Sequence, residues 1–475
     1  MSSPPPAPRS VAAASIRDLG TMLRARQISS VELTRSCLEQ LAAHGPKLNS
    51  VVTRMPEHAL AQAKRADDEL AAGTDRGPLH GIPYGAKDLF AARGAPTTLG
   101  ATFYRHRVLD LDATVIERLS DAGAVLVAKL AMIELAGGMG YNQADASFTG
   151  PCKTPWNLHY WSGGSSSGSG ASVAARLVPF ALGSETDGSI VNPSSYCGVT
   201  GLRPTYGRVS RYGAMTLSWT LDKAGPLCRC AADASIVLSA IAGHDPKDFT
   251  SSTLPVVTTP TASPEPARGR RWRIGIVDDT GEKLQPEVKK NFDAALVQLA
   301  PIADVVHVRL PKFPYDAMVG AVLAAEAASA FRDIIEDGRV QQLADPDGRR
   351  GGYSYLVTYG VDYVDAMRYR AALRSAFEKM FDGIDMLAAP TYSTVAPPIG
   401  TPFDKAYPGT DDGQLITACN LVGYPAIALP NGFGLHGLPT SIMLVGRPFA
   451  EFDLTQIADA YQRRTNFHTH IPPGF

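Results

Sequence analysis

Two short segments rich in serine and glycine lie about twenty residues apart in this chain. The first is GGSSSG at 163–168, and the second is SETDGSI at 184–190. A serine hydroxyl becomes a nucleophile when a nearby base removes its proton. We expect Ser189 to lie in a bend that leads into a helix with Asn192 as N-cap and Pro193 at its first position. Free backbone N–H groups at such a bend favour developing negative charge, so Ser189 is a candidate nucleophile for acyl transfer.

Other interpretations of the two segments are weaker. Residues 164–168 satisfy G-x-S-x-G, the nucleophile elbow of α/β-hydrolases, but the preceding KTPWNLHYWS resembles a loop where that motif needs a strand. The triplet GSG at 168–170 is an incomplete dinucleotide motif, because Val173 stands where its third glycine belongs. Ordinary turns remain the alternative, since serine and glycine are common loop residues.

A serine nucleophile that lacks a histidine needs another base, and lysine is the next candidate. Free lysine has a pKa near ~10.4 and is charged at neutral pH, but burial among apolar residues lowers that pKa. Lys87 in GIPYGAKDLF and Lys129 in VLVAKLAM both lie in apolar, strand-like segments. Either lysine could instead form an ion pair with a neighbouring carboxylate, Asp88 or Glu134. The residues alone do not choose between the two lysines.

The elements that must position these groups alternate between helices and short apolar strands. Residues 15–75 predict helices, one of them with Ser29 and Glu32 at the spacing of a capping box. DATVIERLSDAG predicts a helix with Asp112 as its N-cap, and AVLVAKL predicts the buried strand that follows. This alternation predicts an α/β fold. Later strands are expected at WRIGIV, at DVVHVRL and near 384–389, 424–429 and 439–445, with helices at EVKKNFDAALVQLA and near 316–336, 362–381 and 452–464.

Proline-rich segments divide the chain. Residues 1–14 predict a flexible tail, and residues 246–270 predict a Pro/Ser/Thr-rich connection. From these patterns alone, the connection could join two domains or cross the surface of one.

Composition excludes several classes of function. The 475 residues are 45% hydrophobic, which suffices for a sizeable core, and the net charge is −1. This balance predicts neither nucleic-acid binding nor attachment to an anionic membrane. The six cysteines are scattered, which favours structural thiols over disulfides or a metal site. Because we find neither a signal peptide nor an apolar run of roughly 20 residues, we expect a cytoplasmic protein.

Three motifs in this order resemble those of the amidase signature family: HGIPYGAKDLF, GGSSSGSGASVAARLVPFALGSETDGSI and CGVTGLRPTYGRVSRYG. Two later segments, DMLAAPTYSTVAPPIGTP and CNLVGYPAIALPNGFGLHGLPTSIMLVGRPFAEFDL, resemble the family's C-terminal part. The resemblance implies the amidase signature fold, a large mixed β-sheet core covered on both faces by α-helices. It also implies a single domain over 15–475, made of N-terminal helices (15–75), a catalytic core (76–245), the connection and a C-terminal α/β part (271–475) that lines the substrate pocket.

The resemblance also implies roles for individual residues. Lys87 matches the family's base and Ser189 its nucleophile, whereas Lys129 matches no catalytic position. Ser165 matches a bridging serine held through a cis Gly–Ser peptide bond. The backbone N–H groups that match the oxyanion hole are those of Thr186, Asp187, Gly188 and Ser189. The implied reaction is hydrolysis of a linear carboxylic amide through an acyl-enzyme, without metal or cofactor.

The second segment departs from the commonest family pattern, TDTGGSIR, which reads SETDGSIV here. Glu185 replaces an aspartate, Asp187 a glycine and Val191 an arginine, so we expect a local charge pair to be lost. These changes resemble the peptide-amidase branch. The alternative function is the glutaminase-type A subunit of a tRNA-dependent amidotransferase.

The expected partner is a small molecule. Alanine-rich apolar helices near 316–381, with Tyr392 and Asn420 as expected substrate contacts, favour hydrophobic or aryl amides. An ester or carbamate (urethane) would fit the same site. A homodimer is the assembly we consider for an isolated chain.

Overall fold

The computed structural model of the protein describes residues 14–256, 271–278 and 283–475. The tail predicted over 1–14 lies outside these residues except for its last position, as does most of the connection predicted over 246–270. Within the described ranges, every helix is too short or too polar to cross a bilayer.

Eleven β-strands form one mixed sheet. They are β1 (Val51–Arg54), β2 (Pro83–Lys87), β3 (Val125–Leu130), β4 (Phe180–Glu185), β5 (Thr200–Arg203), β6 (Lys223–Cys228), β7 (Trp272–Val277), β8 (Ala303–Val308), β9 (Met386–Pro390), β10 (Ala426–Phe433) and β11 (Pro439–Gly446). Their order in the sheet is β1-β3-β2-β4-β6-β5-β10-β11-β9-β7-β8. β2 pairs in parallel with β3 and β4, and β7 with β8 and β9, whereas the other neighbours are antiparallel.

Fifteen α-helices of the described residues surround the sheet. They are α1 (Ile16–Arg24), α2 (Ser30–Leu48), α3 (Pro56–Ala71), α4 (Thr114–Asp121), α5 (Ser167–Ala174), α6 (Val191–Cys197), α7 (Ala231–Ile241), α8 (Pro286–Leu299), α9 (Tyr315–Ala330), α10 (Arg332–Glu336), α11 (Pro346–Tyr355), α12 (Gly360–Met380), α13 (Phe403–Ala406), α14 (Leu415–Val422) and α15 (Glu451–Gln462).

The alternation of side chains along β10 shows that both faces of the sheet are covered. Ile427 and Leu429 join one apolar cluster, which includes side chains of α8 and α15. Ala426 and Ala428 join another, which includes side chains of α9, α12 and α14. Because successive residues of a strand point to opposite faces, helices pack on both sides. The predicted fold class is confirmed.

The sheet continues across the connection. β5 belongs to the N-terminal part and pairs with β10 of the C-terminal part, with Arg203 opposite Ala426. The single domain over 15–475 stays a prediction, and this pairing supports it.

Two helix starts differ from the sequence-based expectation. Ala113, not Asp112, is the N-cap of α4, and the Asp112 carboxylate instead accepts a hydrogen bond from the backbone N–H of Arg93 at 2.7 Å. The helix expected to begin at Pro193 begins at Val191. The capping box of Ser29 and Glu32 at the start of α2 is confirmed.

Candidate active site

Lys87 is the last residue of β2, a strand buried along its whole length between β3 and β4. Its Nζ donates to Ser165 Oγ at 2.7 Å and to Ser184 Oγ at 2.9 Å, and it also lies 3.3 Å from the Ser184 carbonyl oxygen. No carboxylate among the described residues forms an ion pair with this amine. Lys87 is therefore a buried amine whose acceptors are all uncharged.

Burial lowers the pKa of Lys87 to about 7, although the more distant carboxylates of Asp222 and Glu185 oppose the shift. The apolar interior disfavours the ammonium form, and no contacting anion restores it. Near neutral pH, a substantial fraction of Lys87 is uncharged. An uncharged amine can accept a proton, as a general base must.

Lys129 lies opposite Ala86 on the adjacent strand β3 and is equally buried, but its contacts differ. Its Nζ forms an ion pair with the Asp88 carboxylate at 2.9 Å and donates to the Pro96 carbonyl at 3.2 Å. Lys129 is therefore paired with a neighbouring acid, which is the alternative that the sequence left open for both lysines. The structure thus separates two lysines that the residues alone could not.

Ser165 lies in the turn before α5, and the Gly164–Ser165 peptide bond is cis, as the resemblance implies. The turn is held by Asn192, whose Oδ1 accepts from the Gly164 N–H at 2.8 Å. Gly163 has a φ of +82°, and a Cβ there would lie 2.6 Å from Asn192 Oδ1. Only glycine therefore fits beside the asparagine that orients this turn.

Ser189 lies between β4 and α6, and the two serine segments meet where the Ser166 N–H donates to the Ser189 carbonyl at 3.3 Å. Gly188 has a φ of +92°, and a Cβ there would lie 2.6 Å from the Tyr392 hydroxyl. Among the described residues, the Ser189 hydroxyl has no hydrogen-bond partner, Ser165 included. The serine is nearly buried, and its hydroxyl is not committed to another group.

The turn before Ser189 carries backbone donors that are not used elsewhere in the described residues. The N–H groups of the four expected oxyanion-hole positions donate to no other described group. The next two N–H groups, those of Ile190 and Val191, donate to the Glu185 carboxylate at 2.8 and 3.0 Å. Glu185 thus caps the seven-residue helix α6, which explains why this helix begins before Asn192.

Val191 supplies no cation to Glu185, as expected from the local motif, but Glu185 still has a charged partner, Arg203. Arg203, fully buried at the end of β5, donates to Glu185 Oε1 at 2.8 Å and to the Tyr424 carbonyl at 2.7 Å. Burial alone would raise the pKa of Glu185, but Arg203 and Lys223 outweigh it and hold that pKa at about 2. The cation of this pair belongs to another strand, β5, so the local motif around Glu185 could not indicate it.

A third buried lysine, Lys223, lies behind the same turn. It donates to the carbonyl oxygens of Thr186 and Leu221, and burial together with Arg203 lowers its pKa to about 7. The Thr186 hydroxyl donates to the Asp222 carboxylate at 2.5 Å. These contacts hold the backbone and the side chain of Thr186 in place. Lys223 contacts neither Ser165 nor Ser189.

A cavity of about 380 Å³ opens beside the two serine segments. Its wall includes Gly164 and Asp187 of the two serine segments and Tyr392, as expected. The helices near 316–381 do not line it, which corrects the expectation that they form the substrate pocket. Six aromatic side chains line it: Tyr141, Trp161, Tyr196, Tyr392, Phe403 and Tyr407. The cavity is therefore large enough for a small organic substrate and suits an aromatic or apolar group. Among the described residues, no group of three His, Cys, Asp or Glu side chains could hold a metal ion.

Asn420 does not line this cavity, which corrects the expectation of direct substrate contact. Its side chain is fully buried, and Nδ2 donates to Glu185 at 2.9 Å and to Asp187 at 3.2 Å. The Asn420 side-chain amide donates to both carboxylates of the turn, so it is not available to a substrate in the cavity. Asn420 therefore positions the turn.

Comparison with known proteins agrees with this geometry. The family model described as Amidase matches residues 32–455. The chain belongs to the amidase signature family. This membership supports an enzyme that acts on a carbon–nitrogen bond.

Relatives of this amidase are named for different activities. The A subunit of the glutamyl-tRNA(Gln) amidotransferase of Chloroflexus aurantiacus is 38% identical over 474 residues, covering 95% of this chain and 96% of its own. The peptide amidase of Stenotrophomonas maltophilia has a TM-score of 0.84 and 31% identity, covering 97% of this chain and 98% of its own. A chain from a vestigial complex related to an s-triazine catabolic enzyme has a TM-score of 0.86 and 30% identity, covering 95% of this chain and 99% of its own. The net charge predicted that the protein does not bind nucleic acid. Because the name of the first of these relatives includes tRNA, the comparisons do not support that prediction.

Sequence reasoning missed the roles of three residues that hold the site of this amidase together. Asn192 orients the first serine turn, Arg203 balances Glu185, and Ser184 accepts from Lys87. No sequence pattern marks Ser184, because β4 is buried almost throughout and shows no alternation that would single it out. Arg203 lies in the third family motif, GLRPTYG, but its partner is identifiable only from the pairing of strands.

Proposed function

We propose that this protein hydrolyses a carboxylic amide through an acyl-enzyme, with Lys87 as base, Ser165 as bridging hydroxyl and Ser189 as nucleophile. The contact that carries the proposal is the 2.7 Å hydrogen bond between Lys87 Nζ and Ser165 Oγ. It joins a buried amine that has no ion-pair partner among the described residues to a serine in the turn that contacts the Ser189 segment.

In the proposed reaction, uncharged Lys87 accepts the proton of Ser165 as Ser165 accepts that of Ser189. The Ser189 oxygen bonds to the substrate carbonyl carbon, and the carbonyl oxygen becomes an oxyanion. Free N–H groups at 186–189 support the proposal that this turn stabilises the oxyanion. The protons return through Ser165 to the departing amine as the C–N bond breaks. Water then repeats the sequence and releases the acid.

The aromatic cavity favours hydrophobic or aryl amides as substrates, with esters and carbamates as secondary ones. The decisive test is a panel of aryl amides, peptide amides, carbamates and esters assayed on the isolated chain. We expect hydrolysis of at least one amide class, together with covalent labelling of Ser189 by a fluorophosphonate. A correctly folded chain that neither turns over an amide nor takes the label contradicts the proposal.

A second candidate is the A subunit of a tRNA-dependent amidotransferase, favoured by 38% identity to such a protein over nearly the whole chain. This candidate predicts glutaminase activity and stable co-purification with partner chains. Hydrolysis of simple anilides by the isolated chain, without partners and without glutaminase activity, would reject it. If the chain is instead an isolated hydrolase, we further propose that it forms a homodimer and lies in the cytoplasm. Light scattering tests the first of these proposals, and cell fractionation tests the second.

The pH dependence of kcat/KM tests the base. Because Lys87 must be uncharged to accept a proton, and its pKa is about 7, we expect activity to rise as pH increases through 7. Ser184→Ala removes an acceptor that stabilises the ammonium form, so the midpoint should fall by roughly 0.5–1 pH unit. Lys223 has a similar pKa but does not contact Ser184. An unchanged midpoint in Ser184→Ala would therefore identify a group other than Lys87.

A further inference from the structure

Asp187 introduces a negative charge beside the proposed oxyanion site. It lies two residues before Ser189, it is half-buried, and it lines the cavity. Its carboxylate is held by two uncharged donors, Thr417 Oγ1 at 3.1 Å and Asn420 Nδ2 at 3.2 Å. The commonest family pattern has glycine at this position, and the change to aspartate resembles the peptide-amidase branch, so the carboxylate is not required by the reaction of the family as a whole.

Two cations, Arg203 and Lys223, favour the charged form of Asp187, but burial and the negative charge of Glu185 outweigh them. Glu185 adds a second negative charge, and Arg203 is engaged with Glu185. Lys223 donates to backbone carbonyls and has a lowered pKa. Asp404 and Asp412 add further carboxylates to the cavity wall, and no lysine, arginine or histidine of the described residues lines it. Burial and Glu185 raise the pKa of Asp187 to about 6, so it still carries charge at neutral pH.

An unneutralised carboxylate at this position would repel the oxyanion that forms on the substrate carbonyl, and a low local dielectric would strengthen that repulsion. A cation carried by the substrate would remove the conflict. The aromatic walls described above also suit a cation, because the faces of aromatic rings attract positive charge.

We propose that this site prefers amides whose acyl part carries a protonated amine close to the scissile carbonyl, with Asp187 as the group that recognises the ammonium. The inference rests on the proposed function, since it concerns the substrate of the same nucleophile. Amides of amino acids with a free α-amine are the simplest members of this class. Such amines have a pKa of about 8 and are mostly protonated at pH 7.

The test uses three 4-nitroanilides at pH 7: that of alanine (ammonium), of N-acetylalanine (neutral) and of N-succinylalanine (anionic). In the wild type, we expect kcat/KM for the alanine anilide to exceed that for the neutral one by at least about tenfold, the scale of one hydrogen bond between charged groups. The anionic substrate should be the poorest. A wild-type ratio near one overturns the inference.

Variants assign this preference to the carboxylate. Asp187→Asn keeps the shape but removes the charge, and Asp187→Gly restores the common family residue, so both should reduce the ammonium-to-neutral ratio to near one. Asp411→Asn is the matched control, because Asp411 is exposed and lies outside the cavity lining; its ratio should equal that of the wild type. An unchanged ratio in folded Asp187→Asn and Asp187→Gly overturns the role of Asp187.

Protection of Ser189 from a fluorophosphonate during a brief labelling reaction gives the same comparison without a turnover assay. Phenylalaninamide should protect the wild type at least about tenfold better than N-acetylphenylalaninamide does, on the same basis. In Asp187→Asn, the two amides should protect Ser189 equally well. Equal protection in the wild type overturns this inference alone. Failure of the fluorophosphonate to label Ser189 contradicts the proposed function itself, so the two failures are distinguishable.

Discussion

Ser189→Ala is expected to lower kcat/KM by at least about 10³-fold, the scale of losing a nucleophile. The Ser189 hydroxyl oxygen is the atom that we propose bonds to the substrate carbonyl carbon, and no other group of the turn takes its place. Because it makes no hydrogen bond among the described residues, its removal should leave the melting temperature nearly unchanged. Initial rates, fluorophosphonate labelling and thermal melts of the same preparation measure all three effects.

Ser195→Ala is the matched control for this substitution. Ser195 lies in α6, six residues after Ser189, and its hydroxyl contacts that of Ser441 at 2.8 Å, away from the cavity lining. We expect this variant to retain turnover and labelling. Full activity in Ser189→Ala would refute the assignment of the nucleophile.

Replacing each buried lysine of β2 and β3 by methionine should separate catalysis from stability. Lys87→Met removes the proposed base, so kcat/KM should fall by at least about 10³-fold. Its stability should change little, because no buried carboxylate loses a partner and an apolar side chain suits the site. Lys129→Met leaves the Asp88 charge buried and unpaired, which should lower the free energy of unfolding by about 3–5 kcal/mol.

The Lys129 variant should retain turnover per folded molecule, since Lys129 does not contact the serine segments. Active-site titration with a fluorophosphonate corrects the rates for unfolded protein. If Lys129→Met loses turnover per titrated site, or Lys87→Met keeps it, the roles of the two lysines are reversed or shared.

Sequence patterns predicted the elements of this protein better than the contacts between them. The strand at Met386–Pro390 follows from a run of apolar residues, because such runs are typical of strands buried on both faces. The start of α6 was misplaced by two residues because the N-cap is Ile190 rather than Asn192, and the N–H groups of Ile190 and Val191 donate to Glu185, which lies six residues before the helix begins.

The identity of the candidate base shows the same limit. Apolar neighbours predicted that Lys87 and Lys129 are both buried, and both are. Which one lacks an anion depends on where Asp88 points, and that direction is fixed by packing between strands. For Asn420, proximity to the site followed from the family resemblance, whereas its burial behind Asp187 depended on contacts with β4 that no local pattern encodes.

The contacts between the turn before Ser189 and the C-terminal part of the chain bear on when the proposed nucleophile is positioned during synthesis. Arg203 reaches the Tyr424 carbonyl, and Glu185 and Asp187 receive the Asn420 amide, so the turn before Ser189 is complete only after residues beyond 420 have docked. A nascent polypeptide that has emerged only as far as the connection would carry Ser189 after a turn that lacks these contacts. We therefore expect the proposed nucleophile to be positioned only when nearly the whole chain has been synthesised, and we expect an N-terminal fragment that ends at the connection to be inactive.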